Sequence, residues 1–107
     1  ARRTKRRTEH ENQPPAGGKR KEARRERAAK RVETAGLRKS VRNQEKRMEK
    51  LTVDKATLES RLADPEVYEG PTAQLMELQI RHSEIKSELA ATEEAWLELS
   101  ERLEAAE

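Results

Sequence analysis

Lysine and arginine are concentrated in the first half of the chain, where they could neutralise phosphate groups. Residues 1–50 contain 19 Lys or Arg and 7 Glu, whereas residues 51–107 contain 5 Lys or Arg and 14 Asp or Glu. The net charge of +3 therefore combines a half of +12 with a half of −9. A basic tract of this kind favours contact with nucleic acid, because phosphate neutralisation releases counterions. The predicted contact residues are Arg2, Arg3, Lys5, Arg6, Arg7, Lys19, Arg20, Lys21, Arg24, Arg25, Arg27, Lys30, Arg31, Arg38, Lys39, Arg42 and Lys46.

Other interpretations of this basic tract are open. The charges could form a solvated linker that contacts nothing and extends by self-repulsion. A membrane-surface role is less favoured, because no apolar face accompanies the charge. Stacking on single-stranded bases would need aromatic residues among the basic ones, and there are none.

The sequence contains no motif for catalysis or metal binding. It lacks a glycine-rich phosphate loop, a nucleophile elbow and any cysteine, and His10 and His82 lie in different segments. Trp96 is alone on an acidic segment, so we predict that it packs rather than stacks on bases. We expect no enzymatic activity, no metal ion and no cofactor in these 107 residues.

The apolar content is too low for a compact globular core. Leu, Ile, Val and Phe make up 16 residues, about 15%, which is below the roughly 20% that indicates disorder. The low net charge argues against complete disorder, so an elongated helical chain is the alternative. No apolar run is long enough for a membrane span, and no apolar stretch follows the basic N-terminal residues as it would in a signal peptide. We therefore expect a cytoplasmic protein. Because the chain starts at Ala1 without a methionine, we expect a piece of a longer protein.

The scarce apolar residues follow two lines with the alternating spacing of 3 and 4 that is typical of coiled coils. One line runs over residues 37–62 and the other over residues 75–106, with polar positions at Gln44, Lys55, His82 and Thr92. The predicted coiled-coil core comprises Leu37, Val41, Met48, Leu51, Leu58, Leu62, Leu75, Leu78, Ile85, Leu89, Trp96, Leu99 and Leu103.

A short turn connects the two lines. Asp64 before Pro65 predicts an N-cap with proline in the first helical position, and Gly70-Pro71 ends that helical turn. Thr72 is the predicted cap of the next helix. The predicted turn residues are Asp64, Pro65, Tyr68, Gly70 and Pro71, with Val67 and Tyr68 folding back over Leu62 and Leu75.

A connection this short predicts that the two helices lie antiparallel. Counting outward from the turn then places apolar residues opposite apolar ones and Lys55 opposite His82. The resulting pairs are Leu62–Leu75, Leu58–Leu78, Lys55–His82, Leu51–Ile85, Met48–Leu89, Gln44–Thr92, Val41–Trp96 and Leu37–Leu99.

These patterns predict an all-α fold in which an antiparallel two-helix coiled-coil hairpin follows a disordered basic N-terminal arm. The arm covers residues 1–18, and a weakly helical basic linker covers residues 19–36, with an interruption near Gly36. The hairpin covers residues 37–107, with a helix at 37–63, a turn at 64–72 and a helix at 73–106.

Three segments of the hairpin resemble the C-terminal domain of ABC-F ATP-binding cassette proteins of the Uup type. They are RMEKL (47–51), LESRLADPEVYEG (58–70) and WLELSERLEAAE (96–107). The family's turn pattern L-x-D-P-x-x-Y matches Leu62, Asp64, Pro65 and Tyr68. A tryptophan followed by a leucine-rich end matches Trp96, Leu99 and Leu103.

This resemblance implies a non-catalytic accessory domain of a soluble tandem ATPase that acts on ribosomes in translation. Some members use the hairpin to bind DNA. ATP and magnesium would then belong to the cassettes of the parent protein. The expected function is electrostatic docking on DNA or ribosomal RNA by a monomeric hairpin, with the ribosome as a possible partner and no membrane contact. The alternative is a coiled-coil protein-interaction module in which the basic arm is only a linker.

Overall fold

The computed structural model describes the backbone of residues 14–107 and the side chains from Gly17 onward. This range contains three α-helices and no strand: α1 (Pro14–Leu62), α2 (Pro65–Glu69) and α3 (Thr72–Ala106). The predicted all-α helical hairpin is confirmed. Residues 1–13 of the predicted disordered arm lie outside the described residues.

Helix α1 begins earlier than the composition suggests. The segment from Pro14 to Gly18, expected to be disordered, forms the start of α1. Proline fits there because the first turn of a helix needs no hydrogen bond from its backbone N–H groups. The helix also continues through Gly36, where an interruption was expected. One glycine costs about 1 kcal/mol in a helix interior, and an already nucleated helix can bear that cost.

The chain divides into two units, one ending at Ala35 and the other covering Gly36–Glu107. The described part of the first unit belongs to α1, and its side chains are exposed except for the half-buried Ala23 and Thr34. The division lies next to the predicted boundary between linker and hairpin. The second unit begins one residue before Leu37, which is the first buried residue in the described part of the chain.

The second unit is held together by one apolar cluster between α1 and α3. Leu51 and Leu58 from α1 are buried together with Leu78 and Ile85 from α3, and Ile85 is only 1% exposed. Partly buried apolar residues that pack against this cluster are Leu62, Val67 and Leu89. All thirteen residues that the heptad spacing places in the core are buried or half-buried. Because the buried apolar area of this unit is concentrated along this seam, each buried side chain contributes a large share of the hydrophobic stabilisation.

The turn is ordered by local hydrogen bonds. Asp64 caps α2, since its side chain accepts a hydrogen bond from the backbone N–H of Glu66 at 3.0 Å, and Pro65 follows as the first helical residue. The hydroxyl of Tyr68 donates to the carbonyl oxygen of Leu62 at 2.7 Å, which satisfies an acceptor at the end of α1.

The predicted cap of the next helix is wrong. Thr72 is the first residue of α3, and Pro71 occupies the N-cap position without a side-chain hydrogen bond to the helix. A proline ring carries no acceptor, so α3 begins without the side-chain cap that a threonine in the preceding position would supply.

Candidate nucleic-acid interface

The first unit presents a dense set of cationic side chains on α1. Residues 19–31 contain eight Lys or Arg and two Glu, for a net charge of +6. All eight basic side chains are exposed. Ion pairs within residues 17–107 involve Arg38, Lys55, Arg81 and His82, and none involves residues 19–31. Arginine and lysine in this state can each contact an external phosphate without first leaving an internal partner.

The second unit continues the basic composition on α1. Lys39, Arg42 and Lys46 are exposed, as predicted contact residues must be. Arg38 differs, because its Nη2 and Nε atoms lie 2.9 Å and 3.2 Å from Oε1 of Glu107. This ion pair joins the start of the hairpin to the end of α3, so the Arg38 guanidinium already has an anionic partner. The sequence did not reveal this competition, since the two residues are far apart along the chain.

The remaining predicted contact residues precede the described part of the chain. Arg2, Arg3, Lys5, Arg6 and Arg7 lie outside the described residues, as does His10.

A polar layer crosses the hairpin next to the apolar cluster. Glu59 on α1 accepts a hydrogen bond from Nε2 of His82 on α3 at 3.1 Å, and its Oε1 lies 3.7 Å from Nζ of Lys55. The hydrogen bond from His82 is the main cause that lowers the pKa of Glu59, with a further contribution from the charge of Lys55. Glu59 therefore mediates the contact that the seam pattern assigned to Lys55 and His82 alone. Its spacing of four from Lys55 was the available signal.

A family model for the ABC transporter C-terminal domain matches residues 30–101, which are 72 of the 107 residues. The chain belongs to this family. The match covers most of the hairpin and the end of the basic stretch, and it confirms the predicted resemblance to the C-terminal domain of an ABC-type protein. No curated protein and no solved structure matches the chain.

Two further features of this ABC transporter C-terminal domain bear on its chemistry. None of its described helices is long and apolar enough to cross a membrane. Within the described residues, no three His, Cys, Asp or Glu side chains form a group that could hold a metal ion.

Trp96 lies within the packed part of the ABC transporter C-terminal domain. Its side chain is half-buried, and its indole Nε1 atom is buried without a hydrogen-bond partner among the described residues. A ring in this position is not an open platform for bases, since stacking requires an accessible face.

Large apolar side chains are exposed near the turn of the domain. Tyr68 is 57% exposed, and Met76 and Ile80, which are one helical turn apart on α3, are 54% and 57% exposed. Neighbouring exposed apolar residues are a feature of protein-binding surfaces.

Proposed function

We propose that this ABC transporter C-terminal domain is the nucleic-acid-binding accessory domain of an ABC-F ATPase that acts as a translation factor. It docks on DNA or ribosomal RNA through contacts between its basic side chains and phosphates. The domain itself performs no catalysis, and the parent protein's cassettes bind ATP and magnesium in the cytoplasm. The observation that carries the proposal is the set of eight exposed basic side chains on α1 between Lys19 and Arg31, none of them in an ion pair within the described residues.

Phosphate is the anion that best fits this set. A single helix with a net charge of +6 over thirteen residues repels itself, and binding to a regular polyanion relieves that repulsion while releasing counterions. A membrane surface fits less well, because the exposed apolar side chains in this stretch are limited to alanines. The hairpin lacks such an excess of charge, since residues 37–63 carry +4 and residues 73–107 carry −6. In our proposal the monomeric hairpin is a stiff element that presents its turn.

A salt titration tests the proposal. We expect the 107-residue chain to bind a fluorescent DNA or RNA duplex with an affinity that falls steeply between 50 and 200 mM salt, by roughly a thousandfold if six phosphates are contacted. Replacing all eight basic residues of 19–31 by glutamine should abolish most of this binding, because glutamine preserves helix propensity but removes the charge. Circular dichroism of the variant checks that helix content is unchanged. A shallow salt dependence, or binding unaffected by the eight substitutions, would rule out electrostatic docking.

The exposed apolar side chains near the turn favour a second candidate function. Met76 and Ile80, one helical turn apart on α3, and Tyr68 on α2 are exposed apolar side chains that a protein partner could cover, with the basic stretch acting only as a linker. Under this alternative, replacing Met76 and Ile80 by serine abolishes binding of the chain to purified ribosomes or ribosomal proteins, whereas replacing the basic residues leaves that binding intact. Under our proposal, replacing the basic residues abolishes the binding, and replacing Met76 and Ile80 leaves it intact.

A further inference from the structure

We infer that the basic part of α1 binds through one face only, and that this face fits the phosphate backbone of a double-stranded nucleic acid. The inference rests on the proposed function and specifies its site and its substrate class. The face consists of Arg20, Arg24, Arg27 and Arg31, which we call the arginine stripe.

The arginine stripe follows from the helical repeat. Its members are separated by 4, 3 and 4 residues, and side chains at these spacings share one face of an α-helix. From Arg20 to Arg31 the helix rises about 16 Å, at 1.5 Å per residue. All four side chains are exposed. The stripe is therefore a row of four arginines along one side of α1.

The three glutamates in the described part of this unit lie on the opposite face. Glu22, Glu26 and Glu33 each follow a stripe arginine by two positions, and two positions correspond to a rotation of about 200° around the helix. Successive glutamates are 4 and 7 residues apart, so they also share a face. A phosphate chain approaching that side would meet carboxylates, whereas on the stripe side it meets only cations.

The residue types also differ between the stripe and its flanks. The stripe contains only arginine, while the other basic residues of 19–31 are Lys19, Lys21, Arg25 and Lys30. Each of these four precedes or follows a stripe arginine by one position, so it points about 100° away from that arginine. Arginine offers a planar fork of donors that can grip two phosphate oxygens, and lysine offers a point charge. The stronger phosphate ligand thus occupies the acid-free face.

Cations on a single face of a helix favour binding to a rigid duplex over binding to a flexible single strand. In a duplex the phosphates lie at fixed positions along the strand, so a straight helix can contact several of them with one face. A flexible single strand can bend towards flanking lysines as well, and its tight binding relies on aromatic stacking, for which residues 19–31 have no side chain. Duplex DNA and duplex RNA share this chemistry.

Two variants with equal loss of charge test the inference. In the stripe variant Arg20, Arg24, Arg27 and Arg31 are changed to glutamine. The flank variant carries the same change at Lys19, Lys21, Arg25 and Lys30. Each variant removes four positive charges, and arginine, lysine and glutamine have similar helix propensities. Binding of the full chain is measured by fluorescence anisotropy against a duplex and against one of its single strands, between 50 and 200 mM salt.

We expect the stripe variant to lose most of its duplex affinity and to reduce the log–log salt slope by about 3 to 4, since each lost phosphate contact removes about 0.9. The flank variant should keep a salt slope close to that of the unmodified chain and bind the duplex at least about tenfold more tightly than the stripe variant. The unmodified chain should prefer the duplex to the single strand at equal salt.

Three results would contradict the inference. Equal losses in the two variants would show that total charge, and not one face, determines binding. Equal affinity of the unmodified chain for duplex and single strand would overturn the assignment of the substrate class. If the unmodified chain binds neither probe with a steep salt dependence, the proposed function itself fails, and this outcome is distinct from the first two.

Discussion

The carboxylate of Glu59 on α1 lies 3.1 Å from Nε2 of His82 on α3, and it is also within 3.7 Å of the Lys55 ammonium. This contact crosses the hairpin beside an apolar cluster that contains Leu58 and Leu78. In this layer of the seam, an acidic residue from outside the heptad line connects two residues that lie on it. This contact favours the observed alignment of the two helices, because shifting them would break its hydrogen bond, but Glu59 is exposed and such a pair contributes only a little stability.

Glu59 should make the hairpin sensitive to acid. Its pKa is lowered in the folded state, chiefly by the hydrogen bond from His82, so the folded state favours the ionised carboxylate. Its contribution to stability is fully present above the ordinary carboxyl pKa and is lost as the pH falls through the lowered value. We expect the melting temperature of the chain to decrease as the pH drops below the ordinary carboxyl pKa. Glu59→Gln should reduce this dependence of the melting temperature on pH.

Glu84→Gln is the matched control for this prediction. Glu84 pairs with Arg81 of the same helix at 3.4 Å and makes no ion pair with α1 within the described residues. Thermal melts at neutral and acidic pH should therefore separate Glu59→Gln from the unmodified chain and leave Glu84→Gln close to it. If the two variants respond to acid identically, the contact between Glu59 and His82 does not stabilise the hairpin.

Gly36→Ala should stabilise α1. A Cβ atom at Gly36 would meet no other atom within 4 Å, and the residue lies inside the helix. Alanine is favoured over glycine there by about 1 kcal/mol, and for a domain of this size 1 kcal/mol raises the melting temperature by roughly 4–8 °C. The reverse change at the neighbouring exposed position, Ala35→Gly, should lower it by a similar amount. Destabilisation by Gly36→Ala would show that the position needs glycine for a break in the helix.

Asp64→Ala should destabilise the turn by about 1 kcal/mol. The substitution removes the acceptor for the Glu66 backbone N–H, which is one of the free donors at the start of α2. Asp64→Asn keeps an acceptor of similar quality, so chemical denaturation should show a midpoint close to that of the unmodified chain. An asparagine variant as unstable as the alanine variant would mean that the negative charge matters and the cap does not.

Glu107→Gln should increase the contribution of Arg38 to phosphate binding. The ion pair between these side chains is exposed, with 57% and 49% of the two side chains accessible, so its loss should cost less than about 1 kcal/mol of stability. Freed from the carboxylate, Arg38 can contact a phosphate, and duplex affinity should rise modestly at low salt. Glu104→Gln, which removes the same charge without breaking this ion pair, is the control. An equal rise in both variants would indicate only a change in net charge.

The sequence by itself determined the helical hairpin and the distribution of charge. Heptad spacing from Leu37 to Leu62 and from Leu75 to Leu103 encodes one apolar line per helix, and the Asp64-Pro65 and Gly70-Pro71 pairs encode the break between them. These signals are local, because each depends on residues within a few positions of one another. Once residues 20–31 are known to be helical, the helical repeat also predicts the arginine stripe from the sequence.

Only the tertiary structure decided which polar groups meet across the hairpin. Glu59 with His82 and Arg38 with Glu107 are separated by 23 and 69 residues, and their contacts depend on how the two helices align. A long side chain can contact residues over more than one turn of a neighbouring helix. Several carboxylates therefore lie within its range, and the spacing of residues in the sequence does not predict which of them it contacts. The start of α1 at Pro14 and its passage through Gly36 also required the structure, since propensities of about 1 kcal/mol are readily overridden by the cooperativity of a long helix.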